Sequence, residues 1–363
     1  MQEIFFDDNT NAFLALVRAG LWKKETRLLS LGEFDYNEVL RLAQEQSVIG
    51  LVTAGLEYVT DVKVPHVNLL QFLGRSMRIE NRNKAMNEFI GVLMERMRKA
   101  RIPTLLVKGQ GIAQCYERPL WRASGDIDLL LSNDDYEKAK AFLLPVASRQ
   151  KPDERYSKHI GMNIGKWYVE IHGTLRTGLS ERVDREVDAV QREVFCGDNV
   201  RVWKNGTTQV FLPEINSDVF FVFTHFIKHF YKEGGVSLRQ ICDWSRLLWI
   251  YKDQLNVVLL ENRLRNVGLI SEWRAFAALA VNYLGMPVEA MPLYDADKKW
   301  SNKAEMIISF IMKGGKWERF KDTFTVGKIF PMSTLRFLPG ILFNLNWLKI
   351  KERLTRNNLM KKE

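Results

Sequence analysis

Apolar residues recur at helical spacing through residues 11–59 and again through 67–101, with Leu14, Val17 and Leu21 on one stripe and Leu70, Leu73 and Met77 on another. Asn81, Asn83 and Asn87 are poor helix formers, yet Phe89, Leu93 and Met97 keep the i, i+4, i+8 spacing, so the helix is expected to survive them. The pattern changes at Ile102-Pro103. TLLVKG reads as a short buried strand ending in glycine and SGDIDLLLS as a second strand. Asp134 to about Leu144 reads as a helix with Ser132 and Asn133 as cap candidates. HIGMNIG and KWYVEIHGTL are two β-rich runs meeting at Gly165-Lys166, a hairpin signal, and weaker strand candidates follow at Asn199–Trp203 and Thr208–Leu212. After Pro213 the helical period returns, with Ser217 as cap candidate. A helix over Leu238–Tyr251 follows, whose Ile241, Trp244, Leu247 and Leu248 make one apolar face, and helices continue to about Leu284.

This order predicts an α+β protein: a helical region over 1–101, a compact mixed α/β core over 102–213, and a second helical region over 214–363. The 363 residues, 46% hydrophobic and 26% charged, fit a globular chain with a substantial core. The net charge of +10 favours anionic partners. Part of it sits in the tail 349–363, where six basic residues face Glu352 and Glu363, a segment that can make weak contact with an anionic surface or form a solvated terminal helix. Cys115, Cys196 and Cys242 fit neither a disulfide framework nor a CxxC metal site, and reduced thiols in a cytoplasm are the simplest account. No stretch reaches the length of a membrane span, and the acidic N-terminus does not resemble a signal peptide.

The candidate chemistry lies in Gly125-Asp126-Ile127-Asp128. Alternate side chains of a strand share a face, so Asp126 and Asp128 are expected side by side while Ile127 and Leu129 face the core. Two such carboxylates repel each other, and a divalent cation removes the penalty. Mg²⁺, with its preference for a few carboxylates, water and phosphate oxygens, suits the pair. Glu170, in the run Trp167 to His172, supplies a third carboxylate with Val169 and Ile171 on the opposite face. If its strand lies beside that of the aspartates, a two-metal site becomes available.

These residues resemble the polymerase β-type nucleotidyltransferases, whose core has a glycine-bearing loop after a strand, an Asp-x-Asp strand and a later acidic strand. The closest likeness is to a bacterial group of uncharacterised nucleotidyltransferases, carried by Lys108-Gly109, by Arg122 with Gly125-Asp126-Ile127-Asp128, and by Glu170-Ile171-His172. The resemblance covers about residues 100–245. It implies a mixed sheet of about five strands, a nucleoside triphosphate donor, expected to be ATP, and Mg²⁺ or Mn²⁺. It also implies Asp126 and Asp128 as metal ligands and Glu170 as a ligand or as the base that deprotonates the acceptor. The loop departs from the family's usual Gly-Ser or Gly-Gly, reading Gly109-Gln110-Gly111.

Other residues carry two readings each. Lys108, Gly109 and Gly111 can cradle phosphate or simply end a strand and cap a helix. Arg122 and Ser124 can steer a triphosphate, or Arg122 can form a structural salt bridge. His172 shares a face with Glu170 and can orient it, or sit as a satisfied core histidine. His225, His229, Arg239 and Asp243 can form a wall for base, sugar or acceptor, or a polar network between packed helices. Phe226 after His225 argues against a zinc-protease motif. The leading expectation is transfer of AMP to an acceptor that is a small molecule, a protein side chain or an RNA end. The alternatives are an Asp-x-Asp glycosyltransferase and a non-catalytic nucleotide-binding protein or scaffold associated with nucleic acid or a membrane.

Overall fold

A computed structural model describes residues 6–151, 158–197, 200–232, 235–312 and 325–342. The tail 349–363 and its expected anionic contact lie outside them. Helices α1 (Asp8–Trp22), α2 (Tyr36–Glu45), α3 (Ile49–Gly55) and the 34-residue α4 (His66–Lys99) precede the first strand. Then come β1 (Thr104–Val107), α5 (Gly109–Ala113), β2 (Ile127–Leu131), α6 (Asp135–Leu143), β3 (Arg149–Gln150), β4 (His159–Ile164) and β5 (Trp167–His172). Helix α7 (Glu181–Cys196) and the hairpin β6 (Arg201–Asn205) and β7 (Thr208–Leu212) lead to α8 (Ile215–Lys232), α9 (Leu238–Ile250), α10 (Val257–Val267), α11 (Ile270–Asn282) and α12 (Lys298–Met312). The fold is α+β, and no described helix is long and apolar enough to cross a membrane.

The five-stranded sheet has the order β1-β2-β5-β4-β3. Its centre is the parallel pair β2 and β5, with Asp128 opposite Glu170, and every other pairing is antiparallel. One face is packed: Ile127, Leu129, Val169 and Ile171 are buried against Met86, Ile90 and Met97 of α4 and Tyr136 of α6. The alternation of apolar and acidic positions thus turns Asp128, Glu170 and His172 to the opposite face.

A second hydrophobic cluster joins the two ends of the chain, holding Phe13 and Leu16 of α1 together with Phe223 of α8, Trp244 of α9 and Phe276 of α11. Gln46 fastens this union, donating to the Ile311 carbonyl and accepting from the Leu238 amide. Helices α1 and α3 cross closely at glycines, because a Cβ on Gly20 would lie 2.0 Å from the Leu51 carbonyl oxygen and one on Gly55 2.0 Å from that of Leu16. Gly55→Ala is therefore expected to destabilise the protein by about 1–3 kcal/mol, read from the urea midpoint. An unchanged midpoint would mean that the two helices separate freely.

Several local expectations meet the structure differently. Helix α4 forms through its asparagines, but Leu70 and Met77 are each 57% exposed while Phe72, Ser76 and Asn83 are buried. The Asn83 side chain donates to the carbonyls of Leu120 and Arg122, so this asparagine ties α4 to the loop before β2. Helix α8 starts at Ile215, before Ser217, because the Glu214 carboxylate accepts from the amides of Asn216 and Ser217. Strand β2 begins at Ile127, which leaves Asp126 just ahead of it. Helix α7, with Val183, Val187, Val190 and Val194 buried along one stripe, lies between the expected strands in a stretch for which no element was expected.

Candidate active site

The strand-to-helix turn after β1 delivers Lys108. Its backbone holds φ +58° and ψ −147°, a region that side-chain-bearing residues rarely enter, at a cost of about 1–3 kcal/mol. The lysine side chain runs to β2, where Nζ lies 2.8 Å from Asp128 Oδ1. Gly109 follows with φ +41°, whereas Gly111 has a packing reason, since a Cβ there would lie 2.9 Å from Leu212 Cδ2.

Asp126, Asp128 and Glu170 come together. One carboxylate oxygen from each lies within 4.8 Å of the others. Burial alone would raise the Asp128 carboxyl, but the Lys108 ammonium and the His172 hydrogen bond hold it far below the usual range. Asp126 goes the other way: burial and the Asp128 charge push it up. Glu170 is part-buried, which alone would raise it, and its contact with His159 keeps it below the ordinary value. Two neighbouring aspartates thus have opposite electrostatics because a single ammonium sits on one of them.

Charge decides whether a divalent ion fits. Three carboxylates face one ammonium, leaving two negative charges in a part-buried place. An all-oxygen donor set with two surplus charges matches Mg²⁺ or Mn²⁺.

His172 lies 2.9 Å from Asp128 Oδ1 through Nε2 and stacks on His159, with ring centroids 4.6 Å apart and planes 11° from parallel. His159 Nε2 lies 3.2 Å from Glu170 Oε2. Sequence reasoning missed His159. The signal that could have found it is its place as the cross-strand partner of His172 in the hairpin it did recognise. On α8, His225 Nε2 is 3.0 Å from His229 Nε2. Burial, then the Lys108 charge, push His225 well below the usual imidazole range.

The remaining expected residues form a separate network. Arg122 is bidentate on Asp243 of α9, with Nε to Oδ1 at 3.0 Å and Nη2 to Oδ2 at 2.5 Å, and both side chains are almost fully buried. Tyr116 donates to the same carboxylate at 2.7 Å, and Arg122 also donates to Ser124 Oγ at 2.6 Å. Arg239 donates to the Ala123 carbonyl at 2.8 Å. Arg122 and Ser124 are therefore engaged with protein, and Asp243 and Arg239 hold the 122–124 segment that leads into Asp126. A cavity of about 230 Å³ is lined by Arg122, Arg239 and Arg246 and by none of the three carboxylates.

His172 is pushed down to about 4, first by burial and also by the Lys108 charge. A histidine whose folded value lies below its unfolded one stabilises the protein above about 6.5, and that contribution is lost as pH falls towards 4. Without metal, lowering pH from 7.5 to 5 is expected to cost roughly 2 kcal/mol through this residue. Urea midpoints in EDTA across that range check it: the slope should flatten in His172→Gln, and an equal slope in both proteins would refute the assignment.

The mixed sheet thus brings three carboxylates together beside a strained lysine turn. The chain belongs to the family described as uncharacterised nucleotidyltransferase, whose model matches residues 32–285, more than half of its length. Searches of curated proteins and of solved structures found no match.

Proposed function

We propose that the protein transfers a nucleoside monophosphate, AMP from ATP, to an acceptor, with the metal held by Asp126, Asp128 and Glu170. The observation that carries this reading is the convergence of these three carboxylates from two adjacent strands beside Lys108, in a chain of this family. The bound ion would supply Lewis-acid polarisation of the phosphate oxygens. The acceptor oxygen attacks the α-phosphorus, the bond to the oxygen bridging the α- and β-phosphates breaks, and pyrophosphate leaves. Glu170 takes the proton of the acceptor hydroxyl or serves as a ligand. His159 and His172 orient it from the side. A triphosphate competes with Asp128 for the Lys108 ammonium, and Gly109, at φ +41°, turns the chain beside it. His225 and His229 form a wall for base, sugar or acceptor, while Arg239 and Asp243 act behind it by holding the 122–124 segment.

The glycosyltransferase alternative calls for alternating strands and helices before the Asp-x-Asp. Among the described residues 6–101, helices are joined only by one isolated bridge, Thr26 to Val59. The test incubates protein, Mg²⁺ and each of the four triphosphates with lysate, following pyrophosphate release and mass addition to any component. Turnover lost in Asp126→Asn with Asp128→Asn supports the reading. Neither turnover nor nucleotide binding in the wild type refutes it.

A further inference from the structure

Glu170 belongs to a second group of possible ligands: His159, Glu170 and His172 each offer an atom within 4.8 Å of the other two. The geometry points to a nitrogen-bearing cation site here, which takes a transition metal of the Mn²⁺, Co²⁺ or Zn²⁺ type in preference to Mg²⁺. Backbone topology places all three side chains on one sheet face. His159 and His172 are cross-strand partners in the antiparallel β4–β5 pair, and Glu170 precedes His172 by two positions. Gly161, the partner of Glu170, carries no side chain of its own, and the Tyr168 hydroxyl occupies the place its Cβ would take.

The separations suit one ion. Glu170 Oε2 lies 3.2 Å from His159 Nε2 and 3.7 Å from His172 Nε2. Ligands bound at about 2.1 Å sit roughly 3.0–3.5 Å apart in octahedral or tetrahedral arrangements. Closing both imidazoles on one ion requires the stacked rings to tilt out of parallel, a rotation about the broad terminal torsion of histidine. Two imidazoles with one carboxylate form a donor set that Mg²⁺ disfavours and first-row transition ions prefer. Glu170 then bridges a nitrogen-rich position and the all-oxygen position of Asp126 and Asp128, so the two positions of the centre differ in metal preference. This inference uses the carboxylate geometry but does not depend on nucleotidyl transfer.

The test is pulsed electron paramagnetic resonance of Mn²⁺ added to the full chain, together with calorimetric titration by Co²⁺ and by Mg²⁺. The expected results are nitrogen modulation from histidine in the wild type and in the control His66→Gln, whose histidine is exposed at the start of α4. His159→Gln should weaken the nitrogen signal and lower Co²⁺ affinity at least about 10-fold, with Mg²⁺ affinity changed little. Circular dichroism checks that the variant folds, and the wild-type nitrogen signal stands independently of it. Mn²⁺ bound by oxygen alone, or equal Co²⁺ affinity in folded His159→Gln and wild type, overturns the site and leaves His159 as a hydrogen-bond partner of Glu170. Nucleotide turnover in Mg²⁺ without nitrogen coupling sinks the inference alone. Nitrogen coupling without turnover sinks the transferase reading and leaves the metal site standing.

Discussion

Asp128→Asn is expected to abolish nucleotide turnover and to destabilise the metal-free protein by about 3 kcal/mol, whereas Asp126→Asn abolishes turnover with a stability change near zero or slightly favourable. The two residues are neighbours in one motif, so a role in chemistry alone would make them alike. Their environments separate them. Asp128 is 3% exposed and accepts from both Lys108 and His172, so neutralising it removes the nearest counter-charge of the part-buried ammonium and weakens two hydrogen bonds at once. Asp126 is crowded by Asp128 and Glu170, and neutralising it relieves repulsion. The pH signs agree. The depressed Asp128 contributes stability above its ordinary value near 4, lost in acid, while the raised Asp126 costs stability once ionised and releases that cost as pH falls. Urea titrations in EDTA with pyrophosphate release in Mg²⁺ check both halves. Equal stability losses in the two variants would contradict the electrostatic asymmetry.

Asp243→Ala should cost about 3–5 kcal/mol, because the Arg122 guanidinium it binds is buried and keeps its charge. The pair Arg122→Met with Asp243→Leu should recover most of that loss, since an apolar pair of similar volume leaves no orphaned ion. Turnover should fall in both, as the 122–124 segment that sets Asp126 loses its anchor. Thermal unfolding of the single and double variants is the measurement. If Arg122 instead served the triphosphate directly, Arg122→Met would raise KM while leaving Tm near that of the wild type.

The carboxylates were legible because each element carries its own evidence: Ile127 and Leu129 flank one aspartate, Val169 and Ile171 flank the glutamate, and strand alternation turns the acids to one side. The hairpin at Gly165-Lys166 was legible for the same local reason. Arg122 and Asp243 illustrate the opposite case. They are 121 positions apart, and nothing in the spacing told a phosphate-steering arginine from one half of a buried ion pair. The Leu70 and Met77 stripe misled because a helical period shows that an apolar face exists, not that a partner covers it.

By itself the sequence determined the α+β order of elements, the strand bearing the aspartates, the hairpin bearing Glu170 and membership of a nucleotidyltransferase-like group, since these depend on short-range periodicity and motif. Only the tertiary structure decided that β2 and β5 lie side by side with Asp128 opposite Glu170, and that one ammonium from the β1 turn splits the two aspartates electrostatically. It also decided that His159 stacks on His172 and that Arg122 is spent on Asp243. Those outcomes depend on strand pairing and on distances between charges far apart in the chain, and both fall off within a few ångströms that sequence separation does not encode.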